Sequence, residues 1–201
     1  MGNTQGYVIC EYEKVKKNFA YFKSVMDTLE ANLIAKALAD WLPLKYGGIQ
    51  PKAGEFGKTT VMPELFNGLM AAYHPLVTWE QWLNATGHQT IMTGAGSGAT
   101  IAEDFKIGLA GLAFLDKAIR VSEIKMQIGD HKLPRINVEE AFVYNKPAIV
   151  FEDGYILDEE TAFDLYAWVR SQGPQRIKLL GIQLNRVPNK LQVSNTGAAI
   201  T

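Results

Sequence analysis

The chain has 201 residues, of which 47% are hydrophobic and 20% charged, and its formal net charge at neutral pH is -1. A chain of this size and composition can bury a hydrophobic core without disulfides or metal ions. The near-zero net charge excludes the overall positive field typical of nucleic-acid-binding proteins, and the single cysteine, Cys10, excludes an intramolecular disulfide.

Membrane insertion and secretion are not indicated by the sequence. Lysines interrupt the first residues, where a signal peptide would need an apolar run: Lys14, Lys16, Lys17 and Lys23. No apolar stretch reaches the roughly 18 residues that a transmembrane helix needs. We therefore expect neither a signal peptide nor a transmembrane helix, and a location in the cytoplasm or in a virion.

The first predicted element is one long amphipathic helix over residues 11–42. Apolar residues recur at alternating steps of three and four from Tyr12 to Leu33, which is the spacing of a heptad seam, and Pro43 ends the pattern. Such a helix would span roughly 45 Å, more than the roughly 35 Å of a compact domain of the remaining length. Either it packs on the short helices that follow, or it packs on another subunit. The second alternative predicts an assembly interface at Phe19, Phe22, Met26, Leu29 and Leu33.

A glycine-rich arm and two short helices are predicted next. Residues 44–61 are rich in glycine and lysine and show little periodicity, which is typical of a linker or an extended arm. One helix is predicted from Pro63 to Tyr73, since proline suits the first helical position. The other has Thr78 and Gln81 in the positions of a capping box and ends at Gly87. Residues 1–87 are therefore predicted to form an N-terminal helical region.

From residue 88 the hydrophobic pattern changes to a period of two. Alternating runs separated by turn signals predict about eight strands over residues 88–188, with a short helical insert near 137–144. This favours an antiparallel β-sandwich of jelly-roll type. The small, polar residues 189–201 are predicted to form a flexible tail. The complete fold prediction is α+β, with the helical region preceding a jelly-roll-like sandwich.

Two aromatic residues lie on the second face of one predicted strand. Phe163, Leu165 and Val169 alternate with Tyr166 and Trp168. If nothing covers that second face, Tyr166 and Trp168 form an exposed aromatic patch of the kind that marks a partner surface. If both faces are covered, the two residues belong to the core.

The glycine-rich run from Thr93 to Thr100, TGAGSGAT, resembles the cofactor-binding turn of the short-chain dehydrogenases. In that family, the glycines let a dinucleotide pyrophosphate approach the backbone at a helix N-terminus, which would imply a nucleotide-dependent oxidoreductase. The resemblance covers eight residues, Thr100 replaces the last glycine, and Tyr144 and Lys146 do not have the spacing of the family's Tyr-x-x-x-Lys pair. We expect no dinucleotide cofactor here.

The remaining candidate groups predict neither a catalytic nor a metal site. The acidic segment 152–164 offers oxygen ligands that Ca²⁺ could use, but its spacing does not match an EF-hand loop. His74, His88 and His131 lack partners at metal-ligand spacing, and no nucleophile motif surrounds Cys10. Charges at a loop and a strand edge also deter strand pairing, which is the alternative role of the acidic segment.

The sequence therefore predicts a non-enzymatic structural subunit of a self-assembling homo-oligomer, concretely a viral capsid or coat protein. A helix longer than its domain, an arm and a sandwich are parts that subunits exchange when they assemble. The alternative is a ligand-binding β-sandwich for a carbohydrate or a protein partner, and the third reading is the oxidoreductase. Apart from itself, no partner is indicated, and the signal for nucleic acid is weak.

Overall fold

The computed structural model describes residues 6–41, 56–69 and 76–186, and these form a mostly antiparallel β-protein with two helices. Helix α1 covers Tyr12–Lys16 and helix α2 covers Ala20–Asp40. The strands, in chain order, are β1 (Tyr7–Glu11), β2 (Gly57–Thr60), β3 (Phe66–Gly68), β4 (Glu80–Leu83), β5 (Gly87–Gly94), β6 (Phe105–Phe114), β7 (Val121–Ile128), β8 (His131–Lys132), β9 (Ile136–Asn137), β10 (Pro147–Leu157), β11 (Phe163–Val169) and β12 (Gly173–Asn185).

The strands form two six-stranded sheets. The first sheet has the order β1-β10-β6-β12-β2, and β4 pairs with the other end of β12. The second sheet has the order β3-β5-β11-β7-β8, and β9 also pairs with β7. The long strands from β5 to β7 and from β10 to β12 alternate between the sheets along the chain. Each crossover therefore ties the two layers together.

One hydrophobic core lies between the sheets. It combines residues of β6, β10 and β12 from the first sheet with residues of β5, β7 and β11 from the second, including the fully buried Phe114, Phe163 and Leu165. Alternate residues of β11 point into this core, as the period of two predicted. The arrangement is that of a β-sandwich.

Helix α2 covers the outer face of the first sheet. Its buried residues follow a helical spacing and pack on β6, β10 and β12: Phe22, Val25, Leu29, Leu33 and Ala37. Small residues under the helix, such as Gly108, Ala110 and Ala148, allow a close approach. A Cβ atom at Gly108 would lie 3.6 Å from Leu33 Cδ2. The central strand β6 is consequently buried on both faces, and its sequence from Ile107 to Phe114 is an unbroken apolar run.

The α+β prediction with one long N-terminal helix is wrong. Residues 7–11 form an edge strand that pairs with β10, and the helical residues that follow are interrupted between α1 and α2. Asn18 at the break has a φ of 55°, the left-handed conformation that asparagine tolerates and that ends helices. The heptad-like spacing continues through the break because both helices face the same sheet. Helix α2, with 21 residues, spans about 32 Å and lies along the sheet rather than extending beyond it.

The two predicted short helices are also wrong. The described residues of the first form a 3-10 turn, Pro63–Leu65, followed by strand β3, and the second contains strand β4. Thr78 Oγ1 accepts a hydrogen bond from the backbone N–H of Glu80, so the capping-box threonine closes a turn and does not start a helix. Pairing with β12 overrides the local helical signal.

Eight strands, β5 to β12, cover the region where about eight were expected, and four more, β1 to β4, form among the described residues of the region predicted to be helical. The predicted helical insert forms a 3-10 helix, Glu139–Val143. Residues 44–55 of the predicted arm and all of the predicted tail, 189–201, lie outside the described residues. The division at residue 87 stays a prediction, although β1 and α2 pack on strands from the C-terminal half.

Candidate functional site

The residues predicted to form an assembly interface lie on the sheet side of helix α2. Phe22, Leu29 and Leu33 are buried against the chain's own first sheet, whereas Phe19 and Met26 are only partly buried. The chain itself already covers the first three side chains. A second subunit that docks on this structure could therefore reach only Phe19 and Met26 of the predicted set.

The predicted aromatic pair lies on the outer face of the second sheet. Trp168 is 51% exposed, and Tyr166 is partly buried beside it on β11. The neighbouring strands place His88 and Glu123 at the register positions next to Trp168. The His88 ring stacks on Tyr166 at a centroid distance of 5.3 Å. No described element covers Trp168, so the alternative that it belongs to the core does not hold.

A cleft of about 400 Å³ opens beside Trp168. Its polar wall carries an ion pair between Arg135 Nη1 and Glu123 Oε1 at 3.1 Å. Asn137 Oδ1 accepts a hydrogen bond of 2.8 Å from the backbone N–H of Glu139, which fixes the side chain of Asn137. The cleft thus presents one exposed aromatic ring next to carboxylate, amide and guanidinium groups.

A second cleft, of about 430 Å³, lies next to the first. It is lined by Lys117, Arg170 and Ser171 together with Ala118, Ile119 and Phe142, so its lining holds two cations and no carboxylate. The Arg170 guanidinium lies 5.2 Å from the centroid of the Phe142 ring. Arg120 Nη1 donates a hydrogen bond of 3.3 Å to Ser171 Oγ. The hydroxyl of Ser171 accepts in this bond, so it can still donate its own proton to a ligand.

The two clefts share three chain segments. Trp168 and Arg170 are two residues apart at the end of β11, and Glu139 and Phe142 lie on the same 3-10 helix. Residues 117–119 of the second cleft lead directly into Ser122 and Glu123 of the first. We call the combined surface the β11 surface.

A buried ionic cluster lies where helix α2 ends. The side chain of Lys106 is 1% exposed, and its ammonium group pairs with Asp40 at 2.9 Å and with Asp158. Lys36 pairs with the same two carboxylates at 3.0 and 2.9 Å. The hydrogen bond from Lys106 holds the pKa of Asp40 below its usual value. Burial works to raise the pKa of Asp158, but the hydrogen bonds from Lys106 and Lys36 outweigh it and lower that pKa.

Trp41 completes this cluster. The Lys106 ammonium lies 5.4 Å and the Arg186 guanidinium 5.6 Å from its ring centroid, and its indole N–H donates to Glu159 Oε1 at 3.1 Å. Arg186 also pairs with Asp104. Every one of these groups contacts another group of the cluster, and the ring is fully buried. The cluster therefore fixes the end of helix α2 on the sheet.

The acidic segment has its partners within the chain at two positions. Asp158 pairs with Lys106 and Lys36, and Glu159 accepts from Trp41 and from the backbone of Asp104. Among the described residues, no group of three His, Cys, Asp or Glu side chains is placed to hold a metal ion. The absence of a metal site stays a prediction.

The glycine-rich run lies in the turn between β5 and β6. The backbone N–H of Gly96 donates to the carbonyl of Thr100 at 2.7 Å, and a Cβ atom at Gly94 would overlap that same carbonyl. The glycines thus let the turn close on itself. It joins β5 of the second sheet to β6 of the first, whereas a dinucleotide turn joins a strand to a helix N-terminus.

Cys10 is buried beneath helices α1 and α2, and burial raises the pKa of its thiol. A raised pKa lowers the thiolate fraction at neutral pH, which is the opposite of what a cysteine nucleophile needs. Within the part of the chain that the structure describes, no helix is long and apolar enough to cross a membrane.

Sequence reasoning missed the ionic cluster and the cationic cleft. Lys106 is an isolated lysine at the start of an apolar run, and its carboxylate partners come from residues 66 and 52 positions away. Lys117 and Arg170 come from two different loops. Their exposed positions gave no pattern, because only the pairing of β11 with its neighbours brings these segments together.

Comparison of the chain with protein family models, with curated proteins and with solved structures found no match.

Proposed function

We propose that the protein is a non-enzymatic structural subunit of a self-assembling homo-oligomer, and that the assembly is a viral capsid or coat. Antiparallel two-sheet sandwiches occur in capsid proteins and also in lectins, so the fold by itself does not choose between them. The observation that supports the proposal is the exposure of apolar side chains at both edges of the first sheet.

Both edges of the first sheet carry exposed apolar side chains. At one edge, no described strand pairs with the outer side of β1, where Val8 is 41% exposed. The opposite edge is formed by β2 and β4, which pair with the two ends of β12, and there β4 carries Trp82, which is 51% exposed, with Val77 preceding it. An edge strand presents unpaired N–H and C=O groups, and β1 has neither the lysine nor the proline that commonly protects such an edge.

Opposite edges of one sheet favour head-to-tail contacts between copies. Such contacts form rings when the rotation closes and filaments when it does not. The β1 edge of one subunit would pair with the β4 edge of the next. Phe19 and Met26, which are only partly buried, are the residues of the predicted interface that another subunit could also contact.

The test is the size of the purified protein and of two charge variants. We expect wild type to form regular particles or filaments in negative-stain microscopy, and light scattering to give a mass of several subunits. Val8→Lys and Trp82→Lys should each reduce the mass, because lysine at an edge opposes pairing. Circular dichroism should still show the native β-signal, since both side chains are largely exposed.

Trp168→Lys is the matched control. Trp168 is 51% exposed, as Trp82 is, but it lies on β11 of the second sheet, which contributes to neither edge of the first. This variant should assemble like wild type. A wild-type protein that remains a monodisperse monomer at high concentration would contradict the proposal.

A second candidate function is a ligand-binding module. The observation that favours it is the exposed Trp168 beside two polar clefts on the second sheet, a surface that the proposed edge contacts do not use.

A further inference from the structure

The two clefts of the β11 surface differ in charge in a way that selects a ligand. The cleft beside Trp168 carries the acceptor groups of Glu123 and Glu139. The cleft beside Arg170 carries Lys117, Arg170 and Ser171, which are all hydrogen-bond donors, and its lining has no carboxylate. The carboxylates of the first cleft disfavour an anion and the cations of the second favour one, so a ligand that fills both clefts should carry its negative charge at the Arg170 end only.

The uncharged end must offer a flat apolar face and a polar rim. Trp168 projects its ring near the end of the central strand of the second sheet, next to polar side chains of β7 and of the segment 135–139. A pyranose ring has this form, because its C–H groups cover an indole face while its hydroxyls donate to carboxylates and accept from amides. The hydrogen bond that holds the Asn137 side chain in place lowers the entropic cost of such bonds.

The anionic end must bind to a cation in a fixed position. The guanidinium of Arg170 rests on the Phe142 ring, which limits its orientations, and Lys117 adds a second positive charge. A planar guanidinium binds carboxylate and sulfate oxygens in pairs. Trp168 and Arg170 are two residues apart, about 7 Å along the strand direction, so one oligosaccharide can contact both.

From this pairing we infer that the β11 surface binds an acidic glycan, with a sugar ring on Trp168 and a carboxylate or sulfate at Lys117, Arg170 and Ser171. A nucleic acid fits less well, because its regularly spaced phosphates would meet Glu123 and Glu139 in the adjoining cleft. The inference rests on the ligand-binding candidate and is independent of self-assembly.

The test is a titration of the full chain with three soluble probes. These are 3′-sialyllactose, which carries a carboxylate, a sulfated lactose, and lactose as the neutral reference. We expect calorimetry to show that at least one acidic probe binds about tenfold more tightly than lactose. A tenfold difference in affinity corresponds to about 1.4 kcal/mol, which is the gain expected from one charged contact. The acidic probe that binds more tightly identifies the anionic group.

Two variants locate the binding. Trp168→Ala should weaken the acidic probe about tenfold or more, since an anchoring tryptophan dominates such contacts. The double variant Lys117→Gln with Arg170→Gln should lower the affinity for the acidic probe to that of lactose. Trp82→Ala is the matched control, because Trp82 is equally exposed on the other sheet, and it should bind the probe as wild type does.

A spectroscopic readout makes the test independent of variant folding. In wild-type protein the indole N–H resonance of Trp168 should shift on adding the acidic probe, while that of Trp82 should not. The inference is overturned if neither acidic probe binds, if lactose binds as tightly as they do, or if Trp82→Ala loses binding as Trp168→Ala does. Tighter, Trp168-dependent binding of a single-stranded oligonucleotide would overturn it in favour of nucleic acid.

Discussion

Replacing Leu33 by alanine tests whether helix α2 packs on its own chain. Leu33 is fully buried, between Trp41 and Phe56 in one cluster and the outer face of β6. Its Cδ2 atom faces Gly108, which has no side chain to move into the space that the substitution would leave. A Leu→Ala change in a core costs about 2–5 kcal/mol, and poor collapse of the site places this case in the upper half of that range.

The assay is equilibrium unfolding in urea, followed by circular dichroism at a low and a high protein concentration. For a chain of this length, a loss of about 3.5–5 kcal/mol corresponds to a fall in Tm of about 7–20 °C. The loss should be the same at both concentrations if the helix and the sheet belong to one chain. Leu38→Ala is the control on the same helix, and it should cost less because Leu38 is only partly buried.

Two results would refute this reasoning. A loss below about 1 kcal/mol would show that the Leu33 side chain is not packed as described. A loss that appears only at low protein concentration, with a smaller particle and an intact β-signal, would show that the helix packs on another subunit. The double change Phe22→Glu with Leu29→Glu separates the same alternatives, because an unpaired buried charge should unfold a chain that packs on itself.

Three further predictions concern the ionic cluster, a sheet contact and the glycine-rich turn. The pKa values of Asp40 and Asp158 are lower in the folded state than in the unfolded state. The two carboxylates therefore stabilise the fold fully above their unfolded-state pKa of about 4, and this stabilisation is lost as the pH falls through the lower folded-state values. Lys106→Met should lower the free energy of unfolding by roughly 1–3 kcal/mol at neutral pH and should reduce the fall in Tm on acidification. A variant whose Tm falls with pH as that of wild type does would contradict the stabilising role of these ion pairs. Gly181→Ala should lower the Tm by several degrees in a thermal melt, because its Cβ would overlap the carbonyl oxygen of Gly108, whereas Gly108→Ala meets only ordinary contacts and should have a smaller effect. Titration with NAD(H) and NADP(H) by calorimetry should show no binding, and micromolar binding that Gly98→Val abolishes would restore the oxidoreductase reading.

The sequence by itself determined the elements whose signal is local. The alternation of Phe163, Leu165 and Val169 with polar and aromatic residues specified strand β11 and its two faces, because the side-chain period of a strand is fixed by its geometry. It also identified Tyr166 and Trp168 as residues of the second face. Whether Tyr166 and Trp168 form an exposed patch or belong to the core depended on whether another layer covers that face.

Only the tertiary structure decided the N-terminal half. Residues 80–83 carry a helical signal, yet they form a strand because β12 supplies hydrogen-bond partners that an isolated segment lacks. Residues 7–11, which precede the helical pattern or begin it, form a strand because they pair with β10. The apolar seam of helix α2 packs on this same sheet. The sequence did not predict that partner, because apolar residues at helical spacing do not specify what they pack against. The β11 surface and the ionic cluster around Lys106 likewise depend on residues far apart in the chain. Such contacts form only when the sheets assemble, which is why no local pattern predicted them.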